Sequence, residues 1–457
     1  MSNKPKAAKV AGASSSPKRE QDAPATMESA AKPALVPKLR FPEFRKAENW
    51  TTKTLGSLAS ISTEKVGDHS CIPMSITSGV GLVSQMEKFG RIIAGSSYTN
   101  YLLLKKNDFA YNKSATKEYP EGFIALYSGD ELAAVPNSIF TCFRINGDSP
   151  APQYLNYLFL GNLHGHWLRK FIEVGARAHG SLSIDEDDLL ALPVPLPSGK
   201  TSLREQQEIA ECLSSVDELI CAQARKLDAL KTHKKGLMQL LFPREGETQP
   251  RLRFPEFLDA PDWEEKTLES MSERGSGHTP SKAYPEYYNG GIKWVSLADS
   301  RRLDKGLISE TANEISEQGI ENSSAVIHPA GSVLLSRDAG VGKSAIMASA
   351  MAVSQHFIVW NCDSSQLSNW FLYYRFQMMK PLFERAAVGS TIKTIGLQFF
   401  IDLRVTVPSP SEQHRIATGL SSLDDLIAAQ SDKLEALRTH KQGLMQQLFP
   451  APEETGA

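Results

Sequence analysis

The 457-residue chain is too long for one ordinary domain and sets an expectation of about two to four. Its 41% hydrophobic content allows sizeable cores, and no apolar run approaches the ~18 residues of a membrane helix. A net charge of −2 excludes a globally basic nucleic-acid binder, so any DNA contact must come from local patches.

Residues 1–36 are biased toward Ala, Lys, Ser and Pro and read as a disordered tail. They hold no apolar stretch of the kind a signal peptide needs, which points to a soluble cytoplasmic protein. The stretch Pro37-Lys38-Leu39-Arg40-Phe41-Pro42-Glu43-Phe44 follows, then Trp50 and Lys53-Thr54-Leu55. It returns at an offset of 213 as Pro250-Arg251-Leu252-Arg253-Phe254-Pro255-Glu256-Phe257, Trp263 and Lys266-Thr267-Leu268. Self-similarity at so long a period marks a duplicated domain pair, not a solenoid.

Residues 37–203 and 244–410 have the α+β texture of two variable domains. Leu155 to Phe171 and Ser368 to Phe383 carry aromatic-rich helical periodicity, which assigns those rings to the core. Short apolar runs at 331–336 and 356–360 read as strands. Faint echoes link the halves: Ala110-Tyr111-Asn112-Lys113 with Leu334-Leu335-Ser336-Arg337, and Val135-Pro136-Asn137 with Val353-Ser354-Gln355.

Basic, polar and aromatic residues collect in the expected loops, and these are the side-chain types that reach phosphates and base edges. In the first domain the candidates are Asn112, Lys113, Ser114, Lys117 and Arg177. In the second they are Ser281, Lys282, Tyr284, Lys293, Ser336, Arg337, Lys343, Thr391 and Lys393. Lys113 and Arg337 stand above the rest because each follows an equivalent strand.

Residues 204–243 and 411–450 read as coiled-coil helices. Positions 205–243 align with 412–450 without a gap at an offset of 207, with 26 of 39 residues identical. The first seam is Ile209, Leu213, Val216, Ile220, Gln223, Leu227, Leu230, Lys234, Leu237 and Leu241. The second is Ile416, Leu420, Leu423, Ile427, Gln430, Leu434, Leu437, Lys441, Leu444 and Leu448. The steps alternate four and three, the a/d pattern of a coiled coil. From 209 to 241 the seam spans about 48 Å at ~1.5 Å per residue. Ser202 with Glu205, and Ser409 with Glu412, have capping-box spacing, and Pro410 sits at N1. Each helix exposes an apolar stripe that closes either on the other copy, antiparallel, or on a second chain. Gln223, Gln430, Lys234 and Lys441 either set register or lie at the edge of a larger bundle. Residues 451–457 form a short tail.

Three chemistries are discounted. Ala339-Gly340-Val341-Gly342-Lys343-Ser344 looks like a phosphate loop, but Arg337 stands where its first glycine belongs. Pro261-Asp262-Trp263-Glu264-Glu265-Lys266 has the letters of a nuclease site, but the carboxylates are almost adjacent and a domain-opening strand is the better reading. No Asn-Pro-Pro-aromatic tetrad marks an amino-methyltransferase. The cysteines Cys71, Cys142, Cys212, Cys221 and Cys362 lack zinc spacing and read as reduced, mostly buried thiols. His233 and His440, beside the seam, read as packing or partner-facing residues.

The combination resembles the specificity subunit of type I restriction-modification systems. It is carried by the paired Arg-Phe-Pro-Glu-Phe openings and by Thr279-Pro280-Ser281-Lys282 with Tyr287-Tyr288-Asn289-Gly290-Gly291. It continues in residues 331–336 with Gly342-Lys343, in residues 407–413, and in residues 441–450. The resemblance covers about residues 37–450. It implies two target-recognition domains held apart by an antiparallel pair of long helices, each domain reading half of a bipartite, asymmetric site in double-stranded DNA. It also implies docking of two methyltransferase subunits and of an endonuclease subunit. S-adenosylmethionine, ATP and Mg would then be bound by those partners, with no cofactor, metal or catalysis on this chain and no membrane contact. The rival readings are a protein-binding coiled-coil scaffold without sequence-specific DNA recognition, and an enzyme using the glycine-rich loop at 339–344.

Overall fold

The computed structural model describes residues 35–77, 79–172, 177–178, 181–390 and 393–451, without the side chains of 96, 97, 177, 178 and 181. Nearly all of both expected tails therefore lies outside the described residues. The chain divides into two compact units, residues 1–211 with 444–457, and residues 212–443.

In the first unit the opening strand Thr51–Thr54 pairs antiparallel with Pro193–Leu196. One sheet has the order Ala59–Ser62, Phe140–Ile145, Phe109–Asn112, Phe123–Leu126. A second has the order Gly81–Ser84, Ile72–Thr77, Ala133–Val135, Leu102–Leu104. The second unit repeats this plan. Glu264–Thr267 pairs with Arg404–Val407. Its first sheet runs Ser272–Ser276, Phe357–Cys362, Val333–Ser336, Ser344–Met347, with Leu307–Ile308 added at the edge. Its second runs Asn313–Ile315, Tyr288–Val295, Met351–Val353, Ile327–His328. Each second sheet contains the corresponding parallel pair, Ile72–Thr77 with Ala133–Val135 and Tyr288–Val295 with Met351–Val353. The weak sequence echoes thus mark one fold made twice.

The strands Phe109–Asn112 and Val333–Ser336 are buried along their whole length, which is why they read as continuous apolar runs without alternation. Aromatic helices cover them. The first aromatic stretch breaks into Pro152–Leu160 and Leu163–Leu168 where Asn162 adopts a left-handed φ of 63°. Its counterpart is the single helix Asn369–Ala386. Tyr154 and Phe159 are buried in the first unit, as are Phe371, Tyr374, Phe376 and Phe383 in the second, so these rings are core.

The two long helices run Ser202–Leu241 and Pro410–Leu448 and stop at the repeated Leu-Phe-Pro. Every seam position of both copies is buried or half-buried, and His233 and His440 are exposed. Within residues 212–443 the helices face each other antiparallel. Gln223 donates to Gln430, Lys234 pairs with Asp424, and Lys441 pairs with Asp217 at 2.7 Å. The sequence left open whether the seam closes on its own repeat. It does, and the polar residues are partnered inside it.

The capping boxes require correction. Ser202 lies inside its helix and donates to the Pro197 carbonyl. Ser409 accepts the Glu412 N–H only at 3.5 Å. The glutamates do not reach back to the helix start, because other residues claim them. Arg40 holds Glu205 with two bonds of 2.7 Å, and the Trp50 indole donates to the same carboxylate at 3.1 Å. Arg253 holds Glu412 at 2.9 and 2.6 Å, and Trp263 donates at 3.3 Å. Both carboxylates are 1% exposed. The repeated Arg-Phe-Pro-Glu-Phe…Trp opening is therefore the clamp on the start of each long helix.

The cysteines also need a correction. All five are free, but only Cys142 is buried. Cys221 is exposed because it follows the seam residue Ile220 and turns to the solvent side of its helix. Among the described residues, no helix is long and apolar enough to cross a membrane.

Candidate nucleic-acid interface

Equivalent backbone bonds superimpose the leading candidates. In the first unit the Lys113 N–H donates to Ile139 O at 2.9 Å, and Lys113 O accepts from Leu182 N–H at 2.8 Å. In the second, Arg337 N–H donates to His356 O at 2.9 Å, and Arg337 O accepts from Ile395 N–H at 2.9 Å. Both basic residues leave a buried strand and are held on either side by the next chain segments. Their neighbours correspond in turn: Asn112 with Ser336, Ser114 with Asp338, and Ile139 with His356.

Asn112 and Ser336 are buried and shape the turn. Asn112 Oδ1 accepts the Ser114 N–H at 2.9 Å, and Ser336 Oγ donates to the Asp338 carbonyl at 2.6 Å. Lys113 and Ser114 are half-buried, and Lys117 is exposed farther along the same turn. Arg177 lies in a two-residue strand paired with Ser181–Leu182, so its backbone reaches the exit from Lys113. The Arg177 side chain and all of Thr391 fall outside the described residues.

In the second unit several of the candidates line two clefts. Asp338 bridges to Thr394, next to the exposed Lys393. Lys343 and Lys393 line a cleft of about 560 Å³ with Lys380, Asp304 and Gly340. Lys343 Nζ is held by Ser300 O and Oγ at 3.1 and 2.9 Å, and Lys380 pairs with Asp304 at 2.7 Å. A second cleft of about 410 Å³ is lined by Thr279, Lys282, Trp294, Gln355 and His356 among others. Ser281 precedes Lys282, and the exposed Tyr284 packs on Tyr287 with centroids 5.0 Å apart. Lys293 points elsewhere, to Ser309 O at 2.6 Å and Glu310 at 3.0 Å.

Residue type and spacing do not single out His356, Asp338 and Lys380. Gln355 lay within the echo Val353-Ser354-Gln355, and His356 follows it directly, so the signal was one residue away. Lys380 sits on a helix whose aromatic pattern announces only core.

The glycine-rich stretch 339–344 connects two antiparallel strands, Val333–Ser336 and Ser344–Met347. A phosphate loop needs a strand-to-helix turn, so that context is absent here. Glu264 and Glu265 are exposed neighbours on one edge strand. Among the described residues, no group of three or more His, Cys, Asp or Glu could hold a metal ion.

Residues 261–439 match the type I restriction modification DNA specificity domain. The chain is 31% identical over 178 residues to the type I restriction enzyme MjaIX specificity subunit of Methanocaldococcus jannaschii, a match that spans 38% of this chain and 41% of that relative. It is 25% identical over 334 residues to the putative type I restriction enzyme MjaX specificity subunit of the same organism, 72% of this chain and 74% of the relative. Its fold resembles that of a chain from a type I R-M system studied for complex assembly and conformational transition. That likeness has a TM-score of 0.55 at 17% identity and covers 88% of this chain and 98% of the other. It also resembles the S subunit of a type I restriction-modification system from M. genitalium, with a TM-score of 0.54 at 16% identity over 91% of this chain and 100% of the other. Residues 261–439 thus match the specificity domain of type I restriction-modification systems, and the chain is similar in sequence to curated specificity subunits and in fold to an S subunit of such a system.

Proposed function

We propose that the chain is the non-catalytic DNA-specificity subunit of a type I restriction-modification complex. Each unit reads one half of a bipartite, asymmetric target in double-stranded DNA. The observation that carries this reading is the contrast at the two equivalent strand exits. Lys113, Ser114 and Ile139 stand in one unit where Arg337, Asp338 and His356 stand in the other, on the same backbone bonds. One framework with two different sets of side chains suits two different half-sites, since base-edge chemistry is what discriminates sequence.

Two methyltransferase subunits dock on the complex and an endonuclease subunit can join it. S-adenosylmethionine, ATP and Mg are bound by those subunits. The assembly works in the cytoplasm, where its DNA is, and the phosphate contacts that a chain of net charge −2 supplies sparingly come in part from its partners.

Single-molecule sequencing of methylated DNA from cells with and without this chain tests the reading. A bipartite, non-palindromic methylation motif should appear only when the chain is present. Identical methylation patterns in both would overturn it.

A further inference from the structure

We propose that Asp338 and His356 form a base-edge reader in the second unit, with His356 Nε2 as its hydrogen-bonding atom. Its ligand is an exocyclic amino group of a DNA base, adenine N6 or cytosine N4. The proposal rests on the DNA-specificity reading above and names the atom that would act in it.

The geometry fixes the imidazole. His356 Nδ1 lies 2.8 and 3.0 Å from the two carboxylate oxygens of Asp338. An ionised carboxylate only accepts, so Nδ1 carries a proton, and in the neutral imidazole that leaves Nε2 as the acceptor. Nε2 has no partner among the described residues, and His356 lines the 410 Å³ cleft beside Lys282, Thr279 and Gln355. The Thr279 hydroxyl donates to Gln355 at 2.6 Å, which fixes a second polar group on that wall. In the major groove the exocyclic amines are the donors that an acceptor reads.

The pair is not needed to build the turn. In the first unit Ser114 and Ile139 replace Asp338 and His356, and the equivalent backbone bond is made at the same 2.9 Å. Asp338 is itself anchored, through its carbonyl to Ser336 Oγ at 2.6 Å and through its bridge to Thr394. A half-exposed imidazole held by an anchored carboxylate is a preorganised contact in a cleft that Lys282 also lines. Asp338 is a positioning residue in this account, and His356 is the contact.

The test uses the full chain produced with a methyltransferase subunit that co-purifies with it. Methylation mapping compares wild type with His356→Leu, His356→Gln and Asp338→Asn. His356→Leu should relax one position in one half-site and leave the other half unchanged, which also reports that the chain folds and assembles. His356→Gln, which retains an acceptor, should relax it less. In Asp338→Asn the amide can donate to Nδ1 and shift the proton to Nε2, so reading should fail with the imidazole still present.

Duplexes of the mapped target then have the amine deleted at the relaxed position, using purine for adenine or 2-pyrimidinone for cytosine. Deleting the amine should weaken wild-type binding about fivefold or more, and should not weaken the His356→Leu complex further. Additive losses, relaxation of both halves, or an unchanged motif would overturn the proposal. If His356→Leu gives no methylation at all, the amine-deleted duplex with wild-type chain and with His356→Gln decides. A wild-type chain that yields no bipartite motif would instead overturn the underlying reading.

Discussion

Gln223 donates its side-chain amide to Oε1 of Gln430 at 2.9 Å and to its backbone carbonyl at 3.0 Å, and Gln430 is its own counterpart 207 residues on. A residue that meets its own repeat lies on the local twofold axis of the helix pair. The flanking ion pairs obey the same axis: Lys234 with Asp424 and Lys441 with Asp217 are one contact made twice. Sliding one helix by a heptad would set Gln223 against Leu423 or Leu437 and strand both lysines. The polar interruptions thus specify antiparallel register, as buried polar seam residues do elsewhere.

The glutamine pair should behave as a unit. Gln223→Leu alone leaves a polar side chain without its partner and should lower stability by about 1–3 kcal/mol. Gln223→Leu with Gln430→Leu should be near neutral or stabilising. Denaturant unfolding of the two single variants and the double gives the coupling, and simple additivity would argue against a paired contact.

The helix-start clamps should be costly to break. Glu205→Ala or Glu412→Ala leaves a buried guanidinium without its carboxylate, and each should destabilise its unit by about 3–5 kcal/mol. Trp50→Phe removes a single charge-assisted hydrogen bond and should cost about 1.5–3 kcal/mol. The order of these losses in denaturant unfolding checks the account.

How much of this was legible follows from what each feature depends on. The seam could be read because its period is local and each apolar residue reports its own burial. Glu205 and Glu412 were read as caps because a three-residue spacing is visible in sequence, whereas Arg40 and Trp50 lie 165 and 155 positions from Glu205. Asp338 and His356 were missed for the same reason, since a strand pairing brings them together. Lys113 and Arg337 could be matched because each directly follows a short apolar strand that ends on a polar residue, Phe109–Asn112 and Val333–Ser336.

His164 should give the first unit an acid-sensitive stability. It is buried, bonded to Gly122 O at 3.3 Å, and burial pushes its imidazole down to about 4. The unfolded chain therefore binds a proton that the folded chain rejects. The contribution is fully present above about pH 6.5 and is lost as pH falls from there toward 4. The loss over that window is on the order of 3 kcal/mol. Stability measured against pH should fall less steeply there in His164→Leu than in wild type.

The length of the helix pair should set the gap between half-sites. Removing one heptad from each long helix shortens each by ~10.5 Å, which at ~3.4 Å per base pair corresponds to a gap about 3 base pairs shorter. An unchanged gap in methylation mapping of that variant would contradict the helix pair's role as spacer.

The central claim is that one fold, made twice, reads two different half-sites. Methylation mapping of Lys113→Ala and Arg337→Ala, the two equivalent strand-exit residues, tests it most directly. Each variant should relax one half of the bipartite motif, and the two should relax opposite halves. Equal weakening of both halves by either substitution, or relaxation of the same half by both, would contradict it.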